Sequence, residues 1–184
     1  MSDSSVSNES LRIEPDGRAV SLRRAMYLLA ALSIFGADQL TKAWAITHLR
    51  FDEGVSVIPG FLKFIYAENP GIAFGQLQRG GSWGRWLLIS FAVIAAIGVL
   101  VYFFRTPRTE TRVLCACALL VAGIVGNLVD RLRFGHVVDF ILLYAGDFHW
   151  PVFNVADMSI CAGAALLAID AFWGRERRSE VGGK

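Results

Sequence analysis

Asp139 is the carboxylate whose surroundings are hardest to explain by structure alone. It lies within the apolar string Val137–Leu143, with no oppositely charged residue beside it. Burying a carboxylate in an apolar setting is costly unless the group is paired or hydrogen-bonded, so a functional role is expected. With a second carboxylate nearby, the two would share one proton and could divide general acid and general base chemistry between them.

Other polar residues lie inside or at the ends of long apolar segments, and they are Asp38, Lys42, Asn127, Asp130, Arg131, Asn154 and Asp157. Several have a simpler structural explanation. Asp38 and Lys42 are one helical turn apart and can neutralise each other. Asn154 can cap a helix, and Asp157 would be favourably placed in its first turn.

The polar group around Asn127 also leaves alternatives open. Asn127 can make a hydrogen bond between helices, and it lies on the same helix face as Arg131, one turn later. Asp130 and Arg131 point in different directions on a helix, so each needs its own partner. A structural ion pair or a contact with a lipid headgroup would satisfy either of them.

The sequence contains no motif that supports a metal site or a serine hydrolase. His48, His136 and His149 lack the spacing of metal ligands, and neither His-Glu-x-x-His nor Gly-x-Ser-x-Gly occurs. Interfacial or hydrogen-bonded roles explain the three histidines better. No metal and no cofactor are therefore expected.

Four apolar segments must position these polar groups. They are Met26–Ile46, Trp86–Phe104, Val113–Val129 and Val152–Trp173. Each is close to the ~20 residues that cross the hydrocarbon core of a bilayer. They also account for the mean hydropathy of +0.47, which is high for a soluble protein. The segments therefore predict four transmembrane helices.

Basic residues predict how these helices are oriented. Arginines precede the first segment, crowd the 105–112 turn and follow the fourth segment. The positive-inside rule then puts both termini and the 105–112 turn in the cytoplasm. The net charge of +2 without a basic stripe argues against nucleic-acid binding. In this topology Asp38, about 20 Å into its helix, and the other polar groups meet near the outer face.

The predicted fold is an all-α membrane protein with four transmembrane helices. Residues 1–24 are polar and predict a disordered cytoplasmic tail, 25–173 form the helical domain, and 174–184 form a basic cytoplasmic tail. Between the first two helices, Pro59-Gly60 is flanked by β-branched and aromatic residues, which predicts a small β-hairpin on the outer side.

Five short motifs occur in order along the chain: Asp38-Gln39-Leu40-Thr41-Lys42, Asn69-Pro70-Gly71-Ile72-Ala73-Phe74, Gly126-Asn127-Leu128-Val129-Asp130-Arg131, Val137-Val138-Asp139-Phe140 and Phe153-Asn154-Val155-Ala156-Asp157. Together they resemble the motifs of the lipoprotein signal peptidases, also called signal peptidase II. The resemblance spans about residues 25–173.

The resemblance implies an aspartic endopeptidase whose catalytic dyad is Asp139 and Asp157. It implies that substrate and dyad are oriented by Asp38, Lys42, Asn69, Gly71, Asn127, Asp130, Arg131 and Asn154. The implied substrates are prolipoproteins, cut just before a cysteine that carries diacylglycerol. The implied location is the inner membrane of a bacterium. Membrane lipids are the other expected partners, and a monomer is expected. The hairpin and the segment 72–78 would clamp the substrate.

Two other classes of function fit the sequence less well than a peptidase does. A small transporter or proton-coupled channel would need carboxylates distributed across the depth of the bilayer. Here they are expected at one level, apart from Asp170 at the inner edge. A purely structural scaffold would leave Asp139 without an explanation.

Overall fold

The structure, a computed structural model, describes residues 17–71 and 83–181. Its elements in chain order are α1 (Gly17–His48), β1 (Val55–Ile58), β2 (Leu62–Asn69), α2 (Trp83–Arg105), α3 (Thr111–Arg133), β3 (Val137–Ala145), β4 (Phe148–His149) and α4 (Val155–Val181). A helix is present at each of the four predicted apolar segments. α1 begins within the predicted N-terminal tail, of which residues 1–16 lie outside the described ranges, and α4 continues into the predicted C-terminal tail.

Three of the described helices are long and apolar enough to cross a membrane: α2, α3 and the part of α4 from Val155 to Phe172. The chain is therefore a multi-pass membrane protein. α1 is long enough but less apolar, because Asp38, Gln39 and Lys42 lie in its second half. That α1 is a fourth transmembrane helix stays a prediction.

α3 is the central helix, and α1, α2 and α4 pack around it. In the most apolar stretch of α3, 61% of the residues are buried, against 17% in α2 and in α4. Small residues allow this close packing. A Cβ added at Gly126 would lie 2.6 Å from a carboxylate oxygen of Asp38, and one at Gly163 would lie 2.8 Å from the carbonyl oxygen of Ala116. The outer helices thus turn their apolar side chains away from the bundle, as lipid-facing helices do.

Two arginines join the ends of neighbouring helices. Arg24 of α1 donates to the carbonyl oxygens of Phe104, at 2.8 Å, and Thr106, at 3.0 Å, where α2 ends. Arg85 of α2 donates to the carbonyl oxygen of Leu132, at 2.9 Å, near the end of α3. Cations are favourable at these positions because the last carbonyls of a helix lack partners within it. The start of α1 therefore lies beside the end of α2, and the start of α2 lies beside the end of α3, so both pairs are antiparallel.

The four strands form one antiparallel sheet in the order β1-β2-β3-β4. The predicted hairpin is confirmed as β1 and β2. Gly60 has a φ of +80°, which suits the third position of a type II turn after Pro59.

The prediction of an all-α fold with a single hairpin is too narrow, because the connection between α3 and α4 contributes β3 and β4. β3 was missed since its apolar residues are consecutive. The first four residues of β3, from Val137 to Phe140, are all buried. A strand covered on both faces shows no alternation of apolar and polar residues, which is the usual signal of a strand.

Candidate active site

The polar residues singled out from the sequence meet at one end of the bundle, where α1 and α3 end, α4 begins and β2 pairs with β3. Hydrogen bonds and ion pairs connect all ten of them into one network: Asp38, Lys42, Asn69, Gly71, Asn127, Asp130, Arg131, Asp139, Asn154 and Asp157. Membrane topology predicted that the polar groups of the helices and Asp139 meet, and the structure places them together. Asn69 and Gly71 were expected at the site only from the family resemblance.

Asn154 links the two candidate catalytic carboxylates. It is the residue before α4, and its side-chain oxygen accepts a hydrogen bond of 2.9 Å from the backbone N–H of Asp157. The Asp157 carboxylate accepts in return from the backbone N–H of Asn154, at 3.2 Å. This reciprocal arrangement is a capping box. The side-chain nitrogen of Asn154 donates to Asp139 at 2.6 Å, so one buried amide orients both aspartates.

Asp139 is held from the other side by the end of β2. The side-chain nitrogen of Asn69 donates to its second carboxylate oxygen at 2.9 Å. The side-chain oxygen of Asn69 accepts from the backbone N–H of Gly71, also at 2.9 Å. Gly71 has a φ of +91°, a conformation that favours glycine. The Asn-Pro-Gly segment is thus a local turn that aims the Asn69 amide at Asp139.

A β-bulge precedes this contact. β2 has one more residue than β3 between the pair Phe64–Ile141 and the pair Ala67–Asp139. Bulges bend a strand locally and are common beside active sites, where they redirect a side chain. Here the bulge lies just before the residues of β2 that approach Asp139.

Burial raises the pKa of Asp139 to about 6. The hydrogen bond from Asn69 lowers this pKa, the negative charge of Asp157 raises it, and both the hydrogen bond from Asn154 and the charge of Lys42 lower it. The side chain is 2% exposed, so the penalty for removing its charge from water is the largest effect. Burial therefore makes Asp139 hold its proton to a higher pH than an ordinary aspartate does.

A buried ion cluster lies beneath the dyad. Lys42 is 2.9 Å from Asp38 and 2.9 Å from Asp130. Each carboxylate also reaches the backbone of a neighbouring element. Asp38 accepts from the N–H of Ala156 in the first turn of α4, at 2.8 Å, and Asp130 accepts from the N–H of Val138 in β3, at 3.1 Å. The cluster therefore ties α1 and α3 to the two elements that carry the dyad.

Asn127 connects the ion cluster to the dyad. Its side-chain oxygen accepts from Lys42 at 3.0 Å, and its nitrogen donates to the carboxylate of Asp157 at 2.8 Å. Arg131 donates to the backbone carbonyl of Asn127 at 3.2 Å. The Nε of Arg131 is buried and has no hydrogen-bond partner among the described residues.

Gln39 belongs to the same network, although no role was predicted for it. Its side-chain nitrogen is 3.2 Å from Asp38, 3.1 Å from Asp130 and 3.3 Å from the carbonyl oxygen of Gly126. The signal was its position: a polar side chain beside Asp38, inside an apolar segment. The segment 72–78, which was predicted to clamp the substrate together with the hairpin, lies outside the described residues.

Asp170 lies at the other end of the bundle from this site. It lines a cavity of about 170 Å³ together with Arg105 and Glu110, where α2 is followed by α3. Asp38, Asp130, Asp139 and Asp157 are instead gathered in one network. This distribution favours a single reaction site over a relay of carboxylates across the membrane.

Comparison with known proteins agrees with this geometry. The family model for signal peptidase (SPase) II matches residues 30–173. A lipoprotein signal peptidase of Alteromonas mediterranea is 36% identical over 157 residues, which cover 85% of this chain and 86% of that protein. One from Xylella fastidiosa strain M12 is 44% identical over 140 residues, covering 76% of this chain and 83% of that protein.

A solved structure described as a bacterial membrane enzyme has the same fold, with a TM-score of 0.71 and 28% sequence identity. The matched region covers 83% of this chain and 91% of that one. Since the family model covers α2, α3, most of α1 and α4 and the whole site between them, the chain belongs to the signal peptidase II family.

Proposed function

We propose that this protein removes signal peptides from prolipoproteins by cutting just before the diacylglyceryl-modified cysteine, with Asp139 and Asp157 as its catalytic dyad. The activity follows from the family, whose members include the lipoprotein signal peptidases described above. The observation that carries the assignment of the dyad is the Asn154 side chain, which contacts Asp139 through its nitrogen and the backbone of Asp157 through its oxygen.

The surroundings of the two carboxylates support different roles. Asp139 is buried and has the raised pKa of a group that retains a proton. Asp157 lies in the first turn of α4, where the helix dipole favours an anion. It also accepts hydrogen bonds from Asn127 and from the backbone of Asn154. We therefore assign the role of general acid to Asp139 and the role of general base to Asp157.

The reaction then needs no covalent intermediate. Asp157 accepts a proton from water while the water oxygen attacks the carbonyl carbon of the scissile bond. Asp139 donates its proton to the carbonyl oxygen, which gives a neutral tetrahedral diol. The diol collapses as Asp157 returns a proton to the leaving nitrogen, the C–N bond breaks, and one hydroxyl proton goes back to Asp139. This is the acid and base division used by aspartic proteases.

Most of the remaining predicted site residues position the dyad or the helices that carry it. Asn69, Asn127 and Asn154 orient the dyad, and Gly71 orients Asn69. Lys42 with Asp38 and Asp130 fixes the helices on which the dyad depends. Arg131 differs from these residues, since its Nε has no partner among the described residues. It is the donor that we assign to a carbonyl oxygen of the substrate.

We also propose that α1 is a fourth transmembrane helix, that both termini are cytoplasmic and that the site lies near the outer face. The basic residues at the ends of the apolar segments support this orientation. Exposed apolar side chains on α2, including Phe91, Ile94 and Ile97, support contact with membrane lipids. The acyl chains of a substrate could remain in lipid beside such a surface while the scissile bond reaches the carboxylates. We expect a monomer.

The test is cleavage of a lipid-modified prolipoprotein by the purified protein in detergent or vesicles. Precursor carrying diacylglycerol on its cysteine should be cut just before that cysteine, as shown by mass spectrometry of the two products. The same precursor without lipid is the control and should be a poor substrate. Equal cleavage of both forms, or cleavage at another bond, would overturn the proposed specificity.

Topology is tested by fusing a reporter that works only outside the cytoplasm. Fusions after residues 60 and 145 should be active, and fusions after 108 and 178 should be inactive. An active fusion at 108 would invert the proposed orientation.

A further inference from the structure

Four side chains outside the predicted site form a cluster around Glu68, which we call the Glu68 cluster: Arg50, Tyr66, Glu68 and His136. The Tyr66 hydroxyl donates to the Glu68 carboxylate at 2.9 Å. Arg50 is 3.8 Å from the same carboxylate oxygen, and His136 is 3.7 Å from the other one. Arg50 also lies over the Tyr66 ring, 5.7 Å from its centroid. One carboxylate thus joins the chain after α1, strand β2 and the residue before β3.

The Glu68 cluster lies directly behind the contact that holds Asp139. In the sheet register, Asn69 faces Val137 and Glu68 faces Val138. Successive side chains of a strand point to opposite faces. Asn69 therefore reaches Asp139 on one face of the β2–β3 pair, while Glu68 reaches His136 on the other. The two contacts therefore hold the same end of β2 from opposite faces of the sheet.

This end of β2 needs such support. The next residue, Pro70, has no backbone N–H, so it cannot donate another hydrogen bond to the β2–β3 ladder. The bulge between Phe64 and Ala67 interrupts the ladder on the other side. Only a short regular stretch carries Asn69, and terminal residue pairs of a sheet open more readily than central ones.

We propose that Glu68 is a positioning residue for the reaction. The Glu68 cluster fixes the end of β2, so that the Asn69 amide keeps its hydrogen bond to Asp139. This inference rests on the proposed role of Asp139. Glu68 acts through Asn69 rather than through its own charge. The charged groups that interact with Asp139 include Asp157, Lys42 and Arg131.

The hydrogen bond from Asn69 lowers the pKa of Asp139, so weakening that bond should raise this pKa. In Glu68→Ala the pKa of Asp139 should rise, and the alkaline limb of kcat/KM should move to higher pH. The maximal rate should fall roughly two- to fivefold, the range expected from loss of a partly exposed ionic network. Glu53→Gln is the control for removing an exposed acidic residue on the same side of the protein, and it should change neither quantity.

The decisive experiment is a double-mutant cycle with Asn69→Ala, read as the pH dependence of cleavage of a lipidated precursor by purified protein. If Glu68 acts through Asn69, adding Glu68→Ala to Asn69→Ala should produce no further shift. Glu68→Gln gives a second cycle if the alanine variant folds poorly, since it keeps the size of the side chain. An unshifted limb in the single variant, or a full additional shift in the double one, would overturn the inference.

Comparison of Glu68→Ala with Asp139→Asn separates this inference from the proposed function. If Asp139→Asn retains substantial turnover, the dyad itself is wrong. If Asp139→Asn is inactive and Glu68→Ala behaves as the wild type, only the role of Glu68 is wrong. A lower melting temperature for Glu68→Ala with an unmoved pH limb would assign Glu68 to stability and not to positioning.

Discussion

Asn154 and Asp157 each accept a hydrogen bond from the backbone amide of the other, at 2.9 and 3.2 Å. The start of α4 and the geometry of the dyad are therefore set by the same two side chains. An ordinary helix cap consists of that exchange of hydrogen bonds alone. Here the nitrogen of Asn154 also donates to Asp139, so capping and catalysis can be separated by substitution.

Asn154→Ser should keep the cap and lose the contact with Asp139, because a serine hydroxyl accepts from the first turn of a helix but lacks the amide nitrogen. We expect a smaller loss of stability than in the alanine variant, together with strongly reduced cleavage. Asn154→Ala should lose both, with a stability loss of about 1 kcal/mol. Thermal unfolding in detergent and turnover of lipidated precursor are the measurements. Full activity in Asn154→Ser would contradict the bridging role.

Asp139→Asn and Asp157→Asn should each abolish cleavage and leave the protein folded. Asparagine has nearly the size of aspartate but cannot take a proton from water or return one. We expect a loss of roughly 10³-fold or more for either variant, since proton transfer by a positioned group accounts for a large part of such rates. The double variant should be hardly worse than either single one, because the dyad acts as a unit. Chelators should have no effect on the wild-type enzyme.

The contrasting variant is Asp130→Asn, which changes a carboxylate of the ion cluster and not of the dyad. It should retain more activity than either dyad variant at matched, verified folding. Substantial turnover by Asp139→Asn or Asp157→Asn would exclude the dyad, and inhibition by a chelator would direct attention to the histidines.

Much of the site could be predicted from sequence because burying charge is costly. Asp38, Asp139 and Asp157 stand out in apolar or helix-terminal positions, and a helical spacing of four pairs Asp38 with Lys42. Once the helices are oriented, these groups must meet. The exchange between Asn154 and Asp157 was predictable only as a cap. The further contact with Asp139 depends on β3, which the sequence did not reveal.

The missed strand explains most of what could not be predicted. Val138 and Phe140 are buried against Ala45 and Leu49 near the end of α1. An apolar string gives the same signal for a strand of this kind as for a short buried helix. The pairing of β2 with β3 joins residues about 70 positions apart, which no local pattern encodes. The Glu68 cluster depends on that pairing, so its members looked like separate surface residues.

The pH dependence of cleavage should report the proton on Asp139. With a pKa of about 6, Asp139 loses the proton it must donate as pH rises through that value, so kcat/KM should fall on the alkaline side. Asn69→Ala removes a donor that stabilises the ionised form and therefore raises this pKa. The alkaline limb should then move to higher pH, although the maximal rate falls. A limb that stays in place, or moves to lower pH, would show that another group carries the proton.

Lys42 should be the most important single residue of the network for stability. It is 2% exposed and lies 2.9 Å from both Asp38 and Asp130, which are themselves almost fully buried. Lys42→Met leaves two carboxylates without their cation, and breaking a buried ion pair in this way costs about 3–5 kcal/mol. Replacing Asp38 and Asp130 by asparagine in the same chain should restore much of that stability, because no buried charge is then left unpaired. The melting temperature in detergent is the measurement, with Lys63→Met as the control in β2. If Lys42→Met melts within about 1 °C of the control, the ion cluster does not hold the helices together, since a loss of even 1 kcal/mol would move the melting temperature by several degrees.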